Sequence, residues 1–573
     1  MKKNGWFILT AVILLTALLS VSAFAEGDNI FKLNYTGGDV PTIDQALSSD
    51  MIGGQIEDEL TVGLMRQNEQ TGSLDLGMAT EYSVSDDGLT YTFKLMQNVP
   101  WVTYNTETSA VEEVKDCSGN VRMVNANDFV YGAKRTLDPA TASDYAYVPA
   151  AMIAGADAFN KGTNTDFAAV GVKAIDDYTV SYTFIEPGVF NLDILSMWML
   201  HAMPSWIIDG DTCTEGMGTK WIETGSYQGY GPFTLQEWNH NDSMTLIANP
   251  FWPGTESTPK PSLDAVHYSM LGEPEALSEY EAGNMDESPI PAGDYDRITS
   301  DPQYKDALVQ KSTGVGTEWL IYNIHMAPTD DARVRLALSY AVDKDAIVKT
   351  SKSGIAARYY INPAVAGAPK EADYPDLGIS YDPEKAKSLI NEYCKEKGVQ
   401  PSDLTVSYFY NSNDTNKIRA EALQSMWETT LGIKVELQSA EWSVYKTQRY
   451  DGKQNIFRGS WIQDYMDANN FTKDVFVCPG ASYIKTTDWP SYDCADTPDA
   501  TYQKYADLIG KAAKETDEKK REDLYAQADD ILMKDVALYN PLVWYSSYEL
   551  INPRINFTQT VTGYDHWEKW SIK

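Results

Sequence analysis

A change of hydrophobic periodicity about halfway along the chain constrains its fold most. In the first half, Tyr91, Phe93 and Leu95 alternate with polar residues directly after an Asp-Asp-Gly turn, and residues 178–184 repeat the alternation. A period of two predicts half-buried strands. From residue 331 onward the apolar residues instead recur at helical spacing, so the second half is predicted to contain helices that alternate with strands.

The second half shows the pattern of an α/β unit. One helix is predicted over 331–348 and another over 418–431, which Gly432 closes and a strand at 433–437 follows. Glycine is the usual residue just beyond a helix end. Two further helices and an apolar, aromatic stretch are predicted at 502–519, 520–534 and 537–545. This order predicts α/β lobes that share a cleft, and ligands in such folds bind between domains.

The amino terminus has the features of an export signal. Lys2 and Lys3 precede an apolar stretch over 6–19, and Ala23 and Ala25 form an Ala-x-Ala cleavage site. This order predicts a cleavable signal peptide over 1–25. The alternative is an uncleaved membrane anchor, but the apolar core is shorter than the roughly 20 residues of a spanning helix. No cysteine stands at the cleavage point, so a lipid anchor is not predicted.

The chain is strongly acidic, with a formal net charge of −36. Loss of the two signal-peptide lysines leaves 44 basic against 82 acidic side chains. Nucleic acid is therefore an unsuitable partner, because phosphate binding requires a basic surface. The same negative field raises the local concentration of cationic ligands.

Five cysteines and five histidines limit the chemistry that the chain can carry. Cys478 and Cys494 lie close together in a Pro- and Gly-containing stretch, which favours one disulfide between them; two free or differently paired thiols are the open alternative. No C-x-x-C pair and no H-x-x-x-H spacing occurs, so neither a metal site nor a metal cofactor is predicted.

Seven segments occur in a characteristic order along the chain. They are MATEYSVSDDGLTYTFKL (78–95), NDF (127–129), YGPFTLQEW (230–238), NPFW (249–252), YN (322–323), RVRLALSYAVDKDAI (333–347) and YDPEKAKSLI (381–390). Each segment alone is a weak match, but in this order and spacing they specifically resemble the oligopeptide- and dipeptide-binding family of ABC-importer solute-binding proteins, family 5. The resemblance covers most of the chain after the predicted signal peptide.

The resemblance implies a bilobal periplasmic-binding-protein-like α/β fold of the large type II cluster, with the ligand cleft between two lobes and an extra domain. The implied domain limits are 26–50, 187–316 and 542–573 for lobe I, 51–186 for extra domain II and 317–541 for lobe II. Hinges are expected near 185–190, 315–319 and 542–545. The implied protein is a monomer that delivers its ligand to the transmembrane subunits of an ABC permease.

The segment RGSWIQDYMD (458–467) contains the residue with the clearest implied role. In peptide-binding relatives an aspartate in a W-x-x-D-Y motif receives the ligand's α-ammonium group, and Asp464 occupies that position here. A charge-assisted hydrogen bond in a water-poor cleft is much stronger than a neutral one. The alternative is an ordinary surface aspartate that follows a strand.

Other residues resemble ligand-facing positions of the family. Arg449 and Arg458 are candidates for a peptide's carboxylate, because a guanidinium can hold a carboxylate bidentately; alternatively, each pairs with a neighbouring acid. Asn416 stands where some relatives use a histidine, which implies a different preference for peptide length. The aromatic candidates for lining the ligand pocket are Trp442, Trp461 and Tyr465. Alternatively, each of these side chains is an ordinary part of the hydrophobic core.

Two other functions compete with peptide binding. An exported hydrolase would need catalytic motifs, and H-E-x-x-H and G-x-S-x-G are both absent; no enzyme is predicted, although paired glycosidase carboxylates depend on the fold and stay open. An oligosaccharide binder of the same fold would suit the 36 tyrosines and 15 tryptophans. Asp464 distinguishes these cases, since a neutral sugar has no ammonium group.

The chain also departs from the family at two places. The segment after Trp101 is expanded through Cys117 before Asn127, where relatives have a short turn. Ile462 stands where relatives often have a cysteine after the motif's tryptophan, so that disulfide must be absent here. The first departure predicts a difference at the rim of the protein.

Overall fold

The computed structural model describes residues 29–35, 39–291, 293–311, 315–441, 444–445, 448–477 and 500–573. The predicted signal peptide at 1–25 and the pair Cys478 and Cys494 lie outside these residues, so both stay predictions. Among the described helices, none combines the length and the apolar character that crossing a bilayer requires.

Strands and helices are distributed along the whole described chain. The strands are β1 (Ile30–Asn34), β2 (Met65–Gln67), β3 (Leu74–Leu76), β4 (Ala79–Val84), β5 (Thr90–Leu95), β6 (Val102–Asn105), β7 (Ala110–Glu113), β8 (Val172–Asp176), β9 (Thr179–Thr183), β10 (Phe233–Asn239), β11 (Ser243–Ala248), β12 (Ala265–Ser269), β13 (Glu287–Pro289), β14 (Leu308–Lys311), β15 (Gly316–Tyr322), β16 (Ile355–Ala356), β17 (Thr405–Asn411), β18 (Lys434–Ala440), β19 (Ile456–Ile462), β20 (Tyr539–Trp544), β21 (Ser547–Ile551), β22 (Ile555–Asn556) and β23 (Ser571–Ile572). The helices are α1 (Met51–Leu60), α2 (Ala126–Leu137), α3 (Tyr147–Met152), α4 (Ala156–Asn160), α5 (Asn191–Ile194), α6 (Ser205–Ile208), α7 (Glu273–Glu281), α8 (Tyr295–Ser300), α9 (Ala332–Tyr340), α10 (Lys344–Ser351), α11 (Pro383–Lys397), α12 (Asp414–Leu431), α13 (Ala468–Phe476), α14 (Ala500–Ala512) and α15 (Glu518–Asp530).

The first lobe brings together distant parts of the sequence. Its main sheet has the order β1-β12-β11-β10, and β1 pairs in parallel with β12. The carboxyl terminus packs against the same sheet, since Trp567 lies 5.2 Å from Tyr268 and Trp570 lies 5.0 Å from Phe31, centroid to centroid. A second sheet of order β4-β5-β9-β8 shares its hydrophobic core with this lobe. Here "first lobe" means all described residues up to 311 and from 547 onward.

The second lobe, residues 315–545, is built on one six-stranded sheet. Its order is β16-β20-β15-β19-β17-β18, with one hydrophobic core formed around Trp319 and Phe409 and another around Leu320 and Tyr408. Strand β19 lies between β15 and β17. Gly459 allows this close pairing, because a Cβ there would lie 2.4 Å from the Trp319 ring. The sheet therefore fixes β19 firmly in the lobe.

The chain passes between the lobes twice at adjacent points. One passage runs from β14 to β15 and the other from β20 to β21, and the Tyr545 amide donates to the Gly316 carbonyl at 3.1 Å. Strand β20 continues to Trp544, past the predicted lobe II limit at 541. Residues 185–190 connect β9 to α5. The hinges and the domain limits stay predictions.

The predicted elements are confirmed, but one predicted helix is divided in two and the last two helices have shifted bounds. Strands β5 and β9 lie where the alternation placed them, and α12 ends at Gly432, which has a φ of 71°. The helix predicted over 331–348 is two helices, because Asp343 caps α10 through a bond from the Ala346 amide. The helices predicted at 502–519 and 520–534 are α14 and α15, and Asp517 caps the second.

A disulfide joins Cys117 to Cys213 across the expanded segment that follows Trp101. Arg122 supports the same contact, because its guanidinium pairs with Asp211 and lies 4.3 Å from the Trp206 ring centroid. The third described cysteine, Cys394, is free and buried. The expanded segment is thus attached to the first lobe's surface and not loose.

Replacing both Cys117 and Cys213 by serine is expected to lower the free energy of unfolding by about 2–4 kcal/mol, because the bond closes a long loop in the unfolded chain. The two cysteines are 96 residues apart. Urea unfolding under non-reducing conditions measures the difference, and it should disappear when the natural sequence is unfolded in the presence of a reductant. An unchanged urea midpoint without reductant would contradict the bond.

Candidate functional site

Strand β19 carries the candidate motif from the second lobe's sheet towards the first lobe. Arg458 and Trp461 are part of the strand, and Asp464 follows two residues after its end. The Asp464 amide donates to Oδ1 of Asn470 at 2.9 Å. Asn470 lies in α13, which Asp467 caps because its side chain accepts the Asn469 amide. The turn between strand and helix thereby holds Asp464 in one orientation.

The carboxylate of Asp464 lies between the two lobes. Tyr145 and Tyr147 of the first lobe donate their hydroxyls to its two oxygens at 2.9 and 3.0 Å. Asn470 donates from its own side, through Nδ2 at 3.0 Å. Burial raises the pKa of Asp464, and the hydrogen bonds from Asn470, Tyr145 and Tyr147 oppose the rise. The two lobes therefore share one partly buried carboxylate.

Asp464 forms no ion pair with any basic side chain in the described part of the chain. The contrast is Asp467, three residues further on, which pairs with Arg521 at 2.6 Å. Four lone-pair positions are available on a carboxylate, and the three neutral donors leave one of them. A carboxylate that is held by neutral donors and shielded from water attracts a cation strongly.

A small cavity of about 40 Å³ lies beside Asp464. It has room for a group of the size of a water molecule or an ammonium. Both lobes contribute to its wall, which is formed by Asp58, Gly63, Met65, Arg66, Gln67, Ser196, Met197, Trp198, His201, Asp464, Tyr465 and Tyr564. Two larger cavities, of about 940 and 320 Å³, lie in the first lobe and contain none of the predicted site residues.

The two aromatic neighbours of Asp464 have different surroundings. Trp461 is partly exposed and donates its indole N–H to Oδ1 of Asn470 at 2.9 Å. Tyr465 is buried, stacks on Phe190 of the first lobe at 5.8 Å between centroids, and donates to Asp474 at 2.7 Å. Tyr465 thus packs across the lobe interface, whereas Trp461 keeps an accessible face.

Arg458 takes part in a buried charge cluster. Its guanidinium donates to Glu318 at 2.6 Å, to the Tyr545 hydroxyl at 2.9 Å and to Oδ1 of Asn411 at 2.9 Å. Arg419 approaches the same Glu318 oxygen at 2.9 Å. Two guanidinium groups therefore share one carboxylate. The structure gives Arg458 the neighbouring acid that the alternative interpretation named, and ligand contact by Arg458 stays a prediction.

Of the remaining predicted residues, Asn416 and Arg449 are buried. Asn416 is buried in the first turn of α12 and donates to the backbone carbonyl of Asn411 at 2.9 Å, so it is linked to Arg458 through Asn411. Arg449 is buried, with its guanidinium 5.8 Å from the Tyr445 ring centroid. Trp442 lies outside the described residues. The structure thus connects Asp464, Trp461 and Tyr465 in one network and Arg458 and Asn416 in another.

Several residues of the site have no signal in the local sequence. Tyr145 and Tyr147 are more than 300 residues from Asp464, and Glu318 is 140 residues from Arg458. Only the pairing of β15 with β19 and the packing of the two lobes bring them together. Asn470 follows Asp464 by only six residues, but it was not among the predicted site residues.

One group of described residues has the geometry of metal ligands. The side-chain ligand atoms of Cys117, Asp211 and Cys213 lie within 4.8 Å of one another. Both sulfurs belong to the disulfide, and a metal ligand would have to be a thiolate. This group is therefore a structural cross-link.

Comparison with known proteins places these observations in one family. Residues 74–483 match the profile of "Bacterial extracellular solute-binding proteins, family 5 Middle". The oligopeptide-binding protein OppA of Bacillus subtilis (strain 168) is 27% identical over 565 residues, which cover 95% of this chain and 95% of that protein. Two solved structures share the fold: the Escherichia coli murein tripeptide binding protein MppA (22% identity, TM-score 0.71, covering 96% of this chain and 99% of that one) and Haemophilus influenzae OppA in complex with RPPGFSPFR (21%, 0.71, 96% and 99%).

Proposed function

The chain belongs to family 5 of the bacterial extracellular solute-binding proteins, and from this membership we propose that it captures peptides between its two lobes and delivers them to the permease of an ABC importer. The fold is that of bilobal binding proteins. The B. subtilis relative is an oligopeptide-binding protein and the H. influenzae structure holds a peptide. Export by the predicted signal peptide and action as a monomer complete the proposal.

The observation that carries this proposal is the state of the Asp464 carboxylate. It lies between the lobes, takes neutral hydrogen bonds from Tyr145, Tyr147 and Asn470, and pairs with no described basic residue. A peptide's amino terminus supplies the missing positive charge. The adjacent cavity of about 40 Å³ accommodates one ammonium group. A neutral sugar offers no group that would compensate this charge.

The mechanism is capture without chemistry. Asp464 is bound by residues of both lobes, so a cation held there interacts fully only when the lobes are closed. A ligand shifts a conformational equilibrium by the difference in its affinity for the two states. The peptide thus stabilises the closed form, which is the form offered to the permease. Family members are binding proteins, and we propose that this chain likewise catalyses no reaction.

Identification of the ligand tests the proposal. The purified protein is denatured, and the released small molecules are analysed by mass spectrometry; alanine peptides of two to five residues and neutral oligosaccharides are titrated separately by calorimetry. Peptides in the released material, or micromolar binding of an alanine peptide, support the proposal. Binding of oligosaccharides without any peptide binding would contradict it, and turnover of either class would refute the absence of catalysis.

Peptide affinity is expected to fall as the pH decreases through the raised pKa of Asp464. Only the ionised carboxylate attracts an ammonium, so protonation of Asp464 competes with the ligand. The peptide affinity should therefore fall roughly tenfold for each pH unit below the pKa of Asp464. Calorimetry of an alanine peptide from pH 7 down to the lowest pH at which the protein stays folded measures the trend. The same dependence of affinity on pH in Asp464→Asn as in the natural protein would contradict an ionised Asp464 as the ammonium's partner.

A further inference from the structure

A second carboxylate, Asp58, faces the cavity beside Asp464. Asp58 lies near the end of α1, a helix that Asp50 caps by accepting the Gly53 amide. Asp58 and Asp464 line the same small cavity from opposite lobes. The aspartate side chain is only partly buried, and a helix of ten residues fixes its direction. The cavity is thus bounded by a carboxylate on each side.

The carboxylate of Asp58 has no hydrogen bond or ion pair in the described part of the chain. Arg66 donates to the backbone carbonyl of Asp58 and, at 3.1 Å, to the carboxylate of Glu568. Glu59 lies 3.6 Å from the same guanidinium. The guanidinium of Arg66 is therefore bound by two buried glutamates, and it acts on the Asp58 carboxylate only through its charge.

Arg66 also belongs to the wall of the cavity. Arg66 is 3% exposed, and its buried Nε–H has no acceptor among the described residues. Tyr564 belongs to the same wall. Burial raises the pKa of its hydroxyl, and the charges of Asp58 and Asp464 are among those that raise it further. The fields of the two aspartates therefore meet in the cavity.

We infer that Asp58 is a second anchor for the ligand's ammonium group, opposite Asp464, so that the site selects ligands with a free, positively charged amino terminus. This inference rests on the proposed function. A cation between two carboxylates receives charge-assisted bonds from both lobes. Closure then brings a carboxylate of the first lobe and one of the second lobe to the same ammonium, which explains how the ligand joins the lobes.

The charged surroundings of Asp58 make its contribution to peptide binding measurable near neutral pH. Burial raises its pKa to about 6, with Glu568 adding to the rise and Arg66 opposing it. The other titratable groups on this wall are Asp464, Tyr465, Tyr564, Arg66 and His201. Burial lowers the pKa of His201, and the neighbouring Glu59 pairs with Arg66. Binding of an ammonium favours the ionised form, so peptide binding at pH 6 should release a proton from Asp58.

The test compares the natural protein with Asp58→Asn and with Glu107→Gln, a control that removes one charge from an exposed turn far from the cavity. Calorimetry uses alanine peptides of two to five residues and their N-acetyl forms, at pH 6 and pH 8, in two buffers of different ionisation enthalpy. Asp58→Asn is expected to weaken binding of the free peptide about tenfold at pH 8, to leave the N-acetyl peptide unchanged, and to reduce the proton release at pH 6.

Other outcomes separate the inference from the proposed function. If the natural protein binds the alanine peptides and Asp58→Asn binds them equally, with unchanged proton release, the inference is wrong and the proposed function stands. If the natural protein binds no peptide, the proposed function and the inference both fail. Proton release by the natural protein needs no variant, so its absence at pH 6 overturns the inference even if Asp58→Asn fails to fold.

Discussion

Asp464→Asn is expected to weaken the binding of peptides with a free amino terminus by about 30-fold to several thousand-fold, because truncating one member of a buried charge pair costs roughly 2–5 kcal/mol. The ammonium would remain in a closed cleft without the charge of Asp464. The side chain of asparagine keeps the size of aspartate and can still accept a hydrogen bond from Asn470. The loss therefore isolates the charge from the shape of the site.

The same substitution should not weaken the unliganded protein. Burial raises the pKa of Asp464. An acid whose pKa is higher in the folded state binds more protons there, so its ionisation lowers stability as the pH rises above the unfolded pKa. At neutral pH the carboxylate thus opposes folding, and asparagine removes this opposition. Thermal unfolding of the apo protein should show a melting temperature that is unchanged or higher.

Calorimetry with alanine peptides measures the affinity, and Glu107→Gln serves as the matched control for the loss of one negative charge. The control should bind peptides as the natural protein does. A variant Asp464→Asn with natural affinity and a natural melting temperature would show that Asp464 is an ordinary interlobe residue. A variant that loses both affinity and stability would give it a structural role, contrary to the sign expected from its pKa.

Glu318→Gln is expected to lower the free energy of unfolding by about 3–5 kcal/mol, because it leaves buried guanidinium groups without their counter-charge. Glu318 is 1% exposed and is shared by Arg419 and Arg458 at 2.9 and 2.6 Å. Burial alone would raise its pKa, but the two arginines outweigh burial and lower it. The carboxylate therefore stays ionised under all ordinary conditions.

Urea unfolding at pH 7 measures this loss, with Glu81→Gln as the control. Glu81 pairs with Lys94 on the surface, where both side chains are more than 60% exposed. Such a pair contributes about 0–1 kcal/mol. Because the pKa of Glu318 is lowered, its stabilisation is present above the unfolded pKa and is lost as the pH falls below it. A loss below about 1 kcal/mol for Glu318→Gln would show that the arginines find other partners.

The sequence predicted those parts of the fold whose signals are local. The alternation around Phe93 and the glycine after Leu431 located β5 and the end of α12 correctly. The break between α9 and α10 was missed, because the apolar spacing continues through residues 341–342 while Asp343 starts a new helix. The Cys117–Cys213 bond was also missed, since the loops that carry the two cysteines are brought together only by the folded first lobe.

The candidate site was predicted where the family motif provides a residue-by-residue match. Asp464, Trp461 and Tyr465 lie in one hydrogen-bonded network around Asn470 and Asp474. Tyr145, Asp58 and Glu318 could not be predicted, because each reaches the site through packing between segments that are far apart in sequence. Charge balance was equally hidden: only the structure shows that Arg458 has an acid beside it and that Asp464 has no basic partner among the described residues.

The most direct test of the account is a double comparison of one alanine peptide and its N-acetyl form on the natural protein and on Asp464→Asn. Acetylation removes the ligand's positive charge, and the substitution removes the protein's negative charge. If Asp464 receives the ammonium, acetylation weakens binding to the natural protein by at least about 30-fold and changes binding to Asp464→Asn by only a few-fold. Equal losses on both proteins would show that the ammonium lies elsewhere and would contradict the account.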